Sequence, residues 1–267
     1  MSTIGFIGMG NMAQAIAQGL VKNKIYSSSD IYAFAPNSEK LARNSERIGF
    51  VPKSSATKVV EASDIVVMAC KPYQIESVLD EIAQAIEDKS LVSIALGWDY
   101  ARYITAFNER KINAESVKVQ FVMPNTPAQV GEGVFLFEKT NSLDAKDRMQ
   151  MMEAFSKLGM VKEMPSHLMG IGGAITGCGP AFIDLFIEAM ADAAVKYGVQ
   201  RNEAYQMVSQ TMLGTAKLQL ETGEHPAVLK DAVCSPAGST IRGVTALEAT
   251  GFRAACQASI DAIMNKN

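Results

Sequence analysis

From Thr3 to Lys139, short apolar runs alternate with longer segments in which apolar residues recur every three or four positions. Thr3–Ile7, Asp30–Phe34, Asp64–Cys70, Leu91–Leu96 and Val117–Met123 read as buried strands, and Gly133–Lys139 adds another. Asn11–Lys22 and Glu39–Ile48 have helical spacing. Gln74–Ile86 is amphipathic, with Ile75, Val78, Leu79, Ile82 and Ile86 on one face. Strands alternating with helices predict a parallel sheet covered on both faces.

After Pro165 the strand pattern stops and the chain reads as helical. In Ala181–Tyr197 the charged residues are Asp184, Glu188, Asp192 and Lys196, a single narrow stripe. The rest of that segment is apolar, so the helix needs burial on several sides. A helical domain of this size cannot supply that alone. A homo-oligomer that sandwiches the helix between chains is therefore expected. Glu203–Glu221 is a second long helix, in which Gly214 costs about 1 kcal/mol relative to Ala. A close helix–helix approach at Gly214 would offset that. Phe252–Met264 is the last helix.

Composition narrows the class. The chain has 267 residues, 48% hydrophobic and 20% charged, with a net charge of −3. It lacks a basic stripe and any known nucleic-acid-binding signature, so no nucleic-acid partner is expected. The cysteines Cys70, Cys178, Cys234 and Cys256 form no Cys-x-x-Cys pair. With only His167 and His225 beside them, no metal site is expected. Reduced thiols suit a cytoplasmic protein. The uncharged first 21 residues have no preceding Lys or Arg and are interrupted by Gly, Asn and Gln, unlike a secretory signal. No run of about 18 apolar residues stands out elsewhere, so no membrane partner is expected.

Gly8-Met9-Gly10-Asn11-Met12-Ala13 is a G-x-G-x-x-A between a predicted strand and a predicted helix. In that context it is a dinucleotide fingerprint. Gly8 permits the tight turn and Gly10 the close approach of a pyrophosphate. Asn11 and Met12 open a helix whose free N–H groups attract the anion. The chain is thus α/β: a Rossmann-type parallel-sheet domain, 1–164, followed by an all-helical dimerisation domain, 165–267.

The second strand runs into Ala35-Pro36-Asn37-Ser38 without the carboxylate that usually bonds an NAD ribose. Nothing there repels a 2′-phosphate, and Asn37 and Ser38 can donate to one. NADPH is the expected cofactor, with NADH as the alternative. Lys71-Pro72 and the Asn125-Thr126 loop lie at strand C-termini, where such sheets bind ligands. Between two helices, Ser235-Pro236-Ala237-Gly238-Ser239-Thr240 is richer in small and polar residues than a connection requires.

The chain resembles the pyrroline-5-carboxylate reductase family along essentially its whole length. The resemblance rests on GFIGMGNMAQAIAQGL, the Lys71-Pro72 pair, MPNTPAQVGEG, GCGPAFIDLFIEAMADAAVKYG and DAVCSPAGSTIRGVTALEATGFRAA. It implies reduction of Δ1-pyrroline-5-carboxylate, a small-molecule substrate, to L-proline. It also implies two interlocked helical domains in a homodimer, with dimers assembling to a decamer. By motif, Ser235 and the amides of Gly238, Ser239 and Thr240 would hold the substrate carboxylate. The catalytic Thr240 hydroxyl would lie near the imine nitrogen. Lys71, Pro72 and Asn125 would border the nicotinamide. The chain departs from the family's habits at Tyr73 (Gln), Phe121-Val122 (Arg), Cys178 (Ser) and Ala237 (Gly).

The chemistry asks for little more. A cyclic imine is basic enough to arrive protonated, so orientation and electrostatics suffice and the cofactor carries the hydride. The two histidines read as surface or capping residues, and Glu221 and Glu224 as a solvated helix end. A 3-hydroxyacid dehydrogenase would place a lysine a few residues beyond Gly177-Cys178-Gly179-Pro180. The first lysine there is Lys196, about four turns on.

Overall fold

The computed structural model describes residues 3–265. It divides into two compact units, Met1–Gly177 and Cys178–Asn267. In the first, β1 (Ile4–Ile7), α1 (Asn11–Lys22), β2 (Ile31–Phe34), α2 (Ser38–Ile48), β3 (Val51–Pro52), α3 (Ala56–Ala62) and β4 (Ile65–Met68) follow in order. Next come α4 (Ile75–Ile82), β5 (Ser90–Ser93), α5 (Tyr100–Glu109), β6 (Lys118–Met123), β7 (Gly133–Glu138), α6 (Ala145–Ser156), β8 (Gly159–Met164) and α7 (Met169–Gly173).

All eight strands form one sheet, in the order β3-β2-β1-β4-β5-β6-β7-β8. β1 to β6 are parallel, β7 is antiparallel to β6, and β8 is parallel to β7. The sheet is therefore parallel with a reversed edge, and β8 extends it beyond the strands read from sequence. The central strands are buried but for the partly exposed first residues of β4 and β5, Ile65 and Ser90, because both faces are covered. One face packs on α1, α2 and α6 through Ile16, Leu20, Leu41, Met151 and Phe155. The other packs on α3, α4 and α5 through Val59, Ile75, Leu79, Tyr103 and Phe107. Strand order reverses at β1, which opens a crevice at the carboxyl ends of β1, β2 and β4.

The strand pattern ends at Met164, yet the first unit continues to Gly177. α7 lies on the sheet through Met169, which clusters with Phe121, Met123 and Leu136. A π-helical turn, Ala174–Cys178, ends the unit. Within the helical run Ser166–Lys196 an 18-residue window has a mean hydropathy of 1.4, long and apolar enough by length and composition to cross a membrane. That corrects the expectation that no such run exists. Its Gly, Thr and Ser residues interrupt an apolar count but lower the hydropathy little.

The second unit is helical: α8 (Gly179–Lys196), α9 (Arg201–Thr222), α10 (Pro226–Ala232), α11 (Ser239–Ala249) and α12 (Phe252–Met264). Among its described residues only Ala191 and Ala204 are buried hydrophobics. Ile183, Leu185, Met190, Leu213 and Leu220 are exposed. Among the described residues, its own helical turns aside, none lies within 4 Å of a Cβ placed at Gly214, so the close approach expected there is not seen within one chain.

Candidate functional site

At the carboxyl end of β1 the backbone turns through Gly8–Gly10 into α1. Gly8 has φ +97°, and a Cβ there would sit 2.6 Å from the Cys70 amide nitrogen. Only glycine fits this crossing. Gly8 N donates to Phe34 O at 2.8 Å, tying the turn to β2. Gly10 is the N-cap of α1, is exposed, and has open space where a Cβ would be. No side chain caps α1. The N–H groups of its first turn, Asn11 and Met12 included, therefore lack the intrahelical partners they would need and can meet an anion. The Gly8 crossing and the empty space over Gly10 fit a dinucleotide's pyrophosphate.

A cleft of about 520 Å³ runs from this turn across the tips of β2 and β4. It brings together Gly8, Gly10, Ala35, Asn37 and Lys71 of the residues singled out in the sequence. None of its lining residues is acidic. Asn37 Oδ1 caps α2 by accepting from Lys40 N at 2.8 Å, which leaves its Nδ2 free to donate outward. Lys40 lines the cleft beside it. Sequence reading missed this cation; its place in the first turn of the helix after the second strand was the available signal. Asn44, one turn further, also lines the cleft, and its buried Nδ2 has no hydrogen-bond partner.

The loop after β4 is braced at both ends. Lys71 N donates to Gln74 Oε1 at 3.1 Å, and Trp98 Nε1 donates to Pro72 O at 3.1 Å. Lys71, Pro72 and Tyr73 are left exposed, Tyr73 at 83%. Burial pushes the Cys70 thiol up to about 11, with its backbone hydrogen bond opposing the shift. At neutral pH this sulfur is an unreactive wall of the cleft.

Asn125 is not among the cleft residues. It is 5% exposed, its Oδ1 accepts from Val134 N at 2.8 Å, and its Nδ2 donates to Thr176 O at 3.0 Å. The side chain braces the loop after β6 against β7 and the π-helical turn. Thr126 beside it is exposed.

In the helical unit, Ser235–Gly238 forms a turn closed by Gly238 N donating to Ser235 O at 3.0 Å. Pro236 takes the second position, and Ala237 the third with φ +59°. The sign of that φ is that of a type II turn, where glycine is favoured. A Cβ on Gly238 would meet Ser235 Oγ at 2.4 Å, so that position stays bare. Gly238 is the N-cap of α11, again without a side-chain cap. Ser239 and Thr240 form its first turn and are exposed. Among the described residues, the hydroxyls of Ser235, Ser239 and Thr240 have no hydrogen-bond partner. The result is an uncapped helix start surrounded by free donors, an arrangement suited to a carboxylate. His225 serves as a cap, its Nδ1 accepting from Ala227 N at 3.2 Å.

Comparison with known proteins agrees with both halves. A family model described as pyrroline-5-carboxylate reductase dimerisation matches residues 166–267. One described as NADP oxidoreductase, coenzyme F420-dependent, matches 3–97. The chain is 37% identical to the pyrroline-5-carboxylate reductase of Treponema pallidum over 99% of both chains. It is also 37% identical to that of Escherichia coli, over 99% of this chain and 96% of the other. The NADP-bound pyrroline carboxylate reductase of Plasmodium falciparum superposes with a TM-score of 0.87 at 30% identity, covering 98% of this chain and 95% of that one. The chain belongs to the pyrroline-5-carboxylate reductase family, homo-oligomeric NAD(P)H-dependent oxidoreductases that reduce the C=N bond of a cyclic imine.

Proposed function

We propose that the chain divides the reduction of Δ1-pyrroline-5-carboxylate to L-proline between two domains. The sheet unit, which ends at Gly177, holds NADPH in preference to NADH, and the helical unit from Cys178 holds the substrate and a second copy of the chain. The observation that carries the reading is the turn Ser235–Gly238 leading into the uncapped α11. Among the described residues it combines a helix start that no side chain caps with three exposed, unpartnered hydroxyls, those of Ser235, Ser239 and Thr240.

The first-turn amides of α1, with Gly8, Gly10, Asn11 and Met12, receive the pyrophosphate. Ala35, Asn37 and Lys40 receive the 2′-phosphate, where a cation and an amide donor coincide and no carboxylate lines the cleft. Lys71, Pro72 and the backbone of Asn125 border the nicotinamide, which supplies the hydride when bound. Ser235 and the amides of Gly238, Ser239 and Thr240 hold the substrate carboxylate. The Thr240 hydroxyl accepts the proton on the iminium nitrogen as a hydrogen bond, which fixes the ring without titrating. Two copies bury the apolar faces of their helical domains against each other, and such dimers assemble to a decamer. The charged stripe along α8 argues for this burial over a lipid environment, and the four free thiols suit the cytoplasm.

The test is steady-state kinetics with NADPH and NADH against Δ1-pyrroline-5-carboxylate and its six-membered homologue. One proline per NADPH consumed is expected, with higher kcat/KM for NADPH and for the five-membered ring. Cofactor binding without turnover on either imine would leave a nucleotide-binding protein of another purpose.

A further inference from the structure

We infer that Gln14 is a positioning residue for cofactor binding, and that Arg47 holds it in place. Gln14 lies in the first turns of α1, and its Nε2 donates back to the Met9 carbonyl at 3.0 Å. Its Oε1 accepts from Arg47 Nη2 at 2.6 Å. Arg47 sits in the last turn of α2. A chain of two side-chain hydrogen bonds thus runs from the end of the second helix to the peptide between Met9 and Gly10.

That peptide matters because of its geometry. In a trans peptide the C=O and the following N–H point in opposite directions. Holding the Met9 oxygen therefore fixes where the Gly10 N–H points. Gly10 has open space where a Cβ would be and no side chain of its own to set its orientation. No side chain caps α1 either, so nothing else of that kind fixes the start of the helix. Arg47 adds to this in two ways. A charge-assisted hydrogen bond orders the Gln14 amide, and a cation at its oxygen strengthens its N–H as a donor.

The inference rests on Gly8–Met12 as the pyrophosphate site, and the experiment separates the two. NADP⁺ is titrated by calorimetry into the full-length enzyme, with no imine present. Four variants are compared with wild type: Gln14→Met, Gln14→Glu, Gln14→Lys and Gly10→Val. Gln14→Met keeps the length and loses both hydrogen bonds; its Kd is expected to rise about tenfold. Gln14→Glu keeps the bond to Arg47 but turns an oxygen toward the Met9 carbonyl, and is expected to lose at least as much. Gln14→Lys keeps a donor for the Met9 carbonyl and is expected to restore affinity to within about threefold of wild type. At saturating NADPH, the KM for Δ1-pyrroline-5-carboxylate should be unchanged in Gln14→Met, and the unfolding midpoint of the free protein should not move. A purely structural role would shift that midpoint. Gln14→Met binding NADP⁺ as wild type does, or Gln14→Lys losing as much as Gln14→Met, would overturn the inference. An unchanged Kd in Gly10→Val would instead overturn the pyrophosphate site itself.

Discussion

Ala237 occupies a left-handed backbone conformation, φ +59°, in the turn that leads to α11. An L-residue there costs about 1–2 kcal/mol, and glycine's greater unfolded-state freedom returns about half of that. Ala237→Gly is therefore expected to stabilise the protein by about 0.5–1 kcal/mol, read as a higher urea midpoint. An unchanged or lower midpoint would show that packing of the Ala237 methyl offsets the strain. Asn44 presents a second local cost. It is 8% exposed, and its buried Nδ2 lacks a partner. An unsatisfied buried amide costs about 1–3 kcal/mol. Asn44→Leu, close in size, should stabilise the protein by about 1 kcal/mol or more, read as a higher urea midpoint; a lower one would mean that the amide is satisfied in solution. Thr240 bears on rate. Among the described residues its hydroxyl has no partner, so no hydrogen bond seen in the fold depends on it. Thr240→Ala should lower kcat about tenfold or more, the equivalent of at least one hydrogen bond in the transition state, with the Kd for NADP⁺ unchanged.

The β1–α1 turn shows how two glycines of one motif do different work. Gly8 is needed for folding, since φ +97° and the Cys70 backbone at 2.6 Å leave no room for a methyl. Gly10 is needed for the ligand, since its φ of −76° suits any residue and its surroundings are open. Gly8→Ala should therefore lower the melting temperature of the free protein, whereas Gly10→Ala should leave it unchanged and weaken NADP⁺ binding. Equal melting temperatures for the two variants would refute this division. The motif was legible in the sequence because strand, turn and helix are adjacent. So were β1, β2, β4, β5, β6 and β7, which are predominantly apolar, with single polar residues such as Ser93 and Gln120 among them. β3 was not, being two residues that include Pro52. β8 was not, because as an edge strand it reads Gly-Met-Val-Lys-Glu-Met, with no apolar run. Long-range pairings left no local signal either. Gln14 and Arg47 are 33 residues apart, and Asn125 and Thr176 are 51 apart. The departure at Ala237 was visible as a residue, but its positive φ was not.

The helical unit sets the scale of the whole molecule. In one chain Leu185 is 65% exposed, and Ile183, Met190 and Leu220 are exposed with it, while among the unit's described residues only two alanines are buried. A unit with so little core has scant stability alone, so its folding and its association are one process. α8 carries Asp184, Glu188, Asp192 and Lys196 along one stripe, which is costly against lipid and which a partner's surface can leave in water. Leu185→Glu tests this. Burying a leucine is worth about 1.5–3 kcal/mol, and a two-fold interface counts every change twice. The substitution should thus weaken the dimer by at least about 3 kcal/mol, roughly a hundredfold or more in Kd. By sedimentation the variant should dissociate at concentrations where the wild type stays assembled. Its helical circular dichroism should fall with dilution, because the separated unit cannot hold its fold. Glu188→Gln, on the charged stripe, should change neither reading. An assembled Leu185→Glu, or a wild type that needs detergent to remain in solution, would move α8 out of the interface between copies.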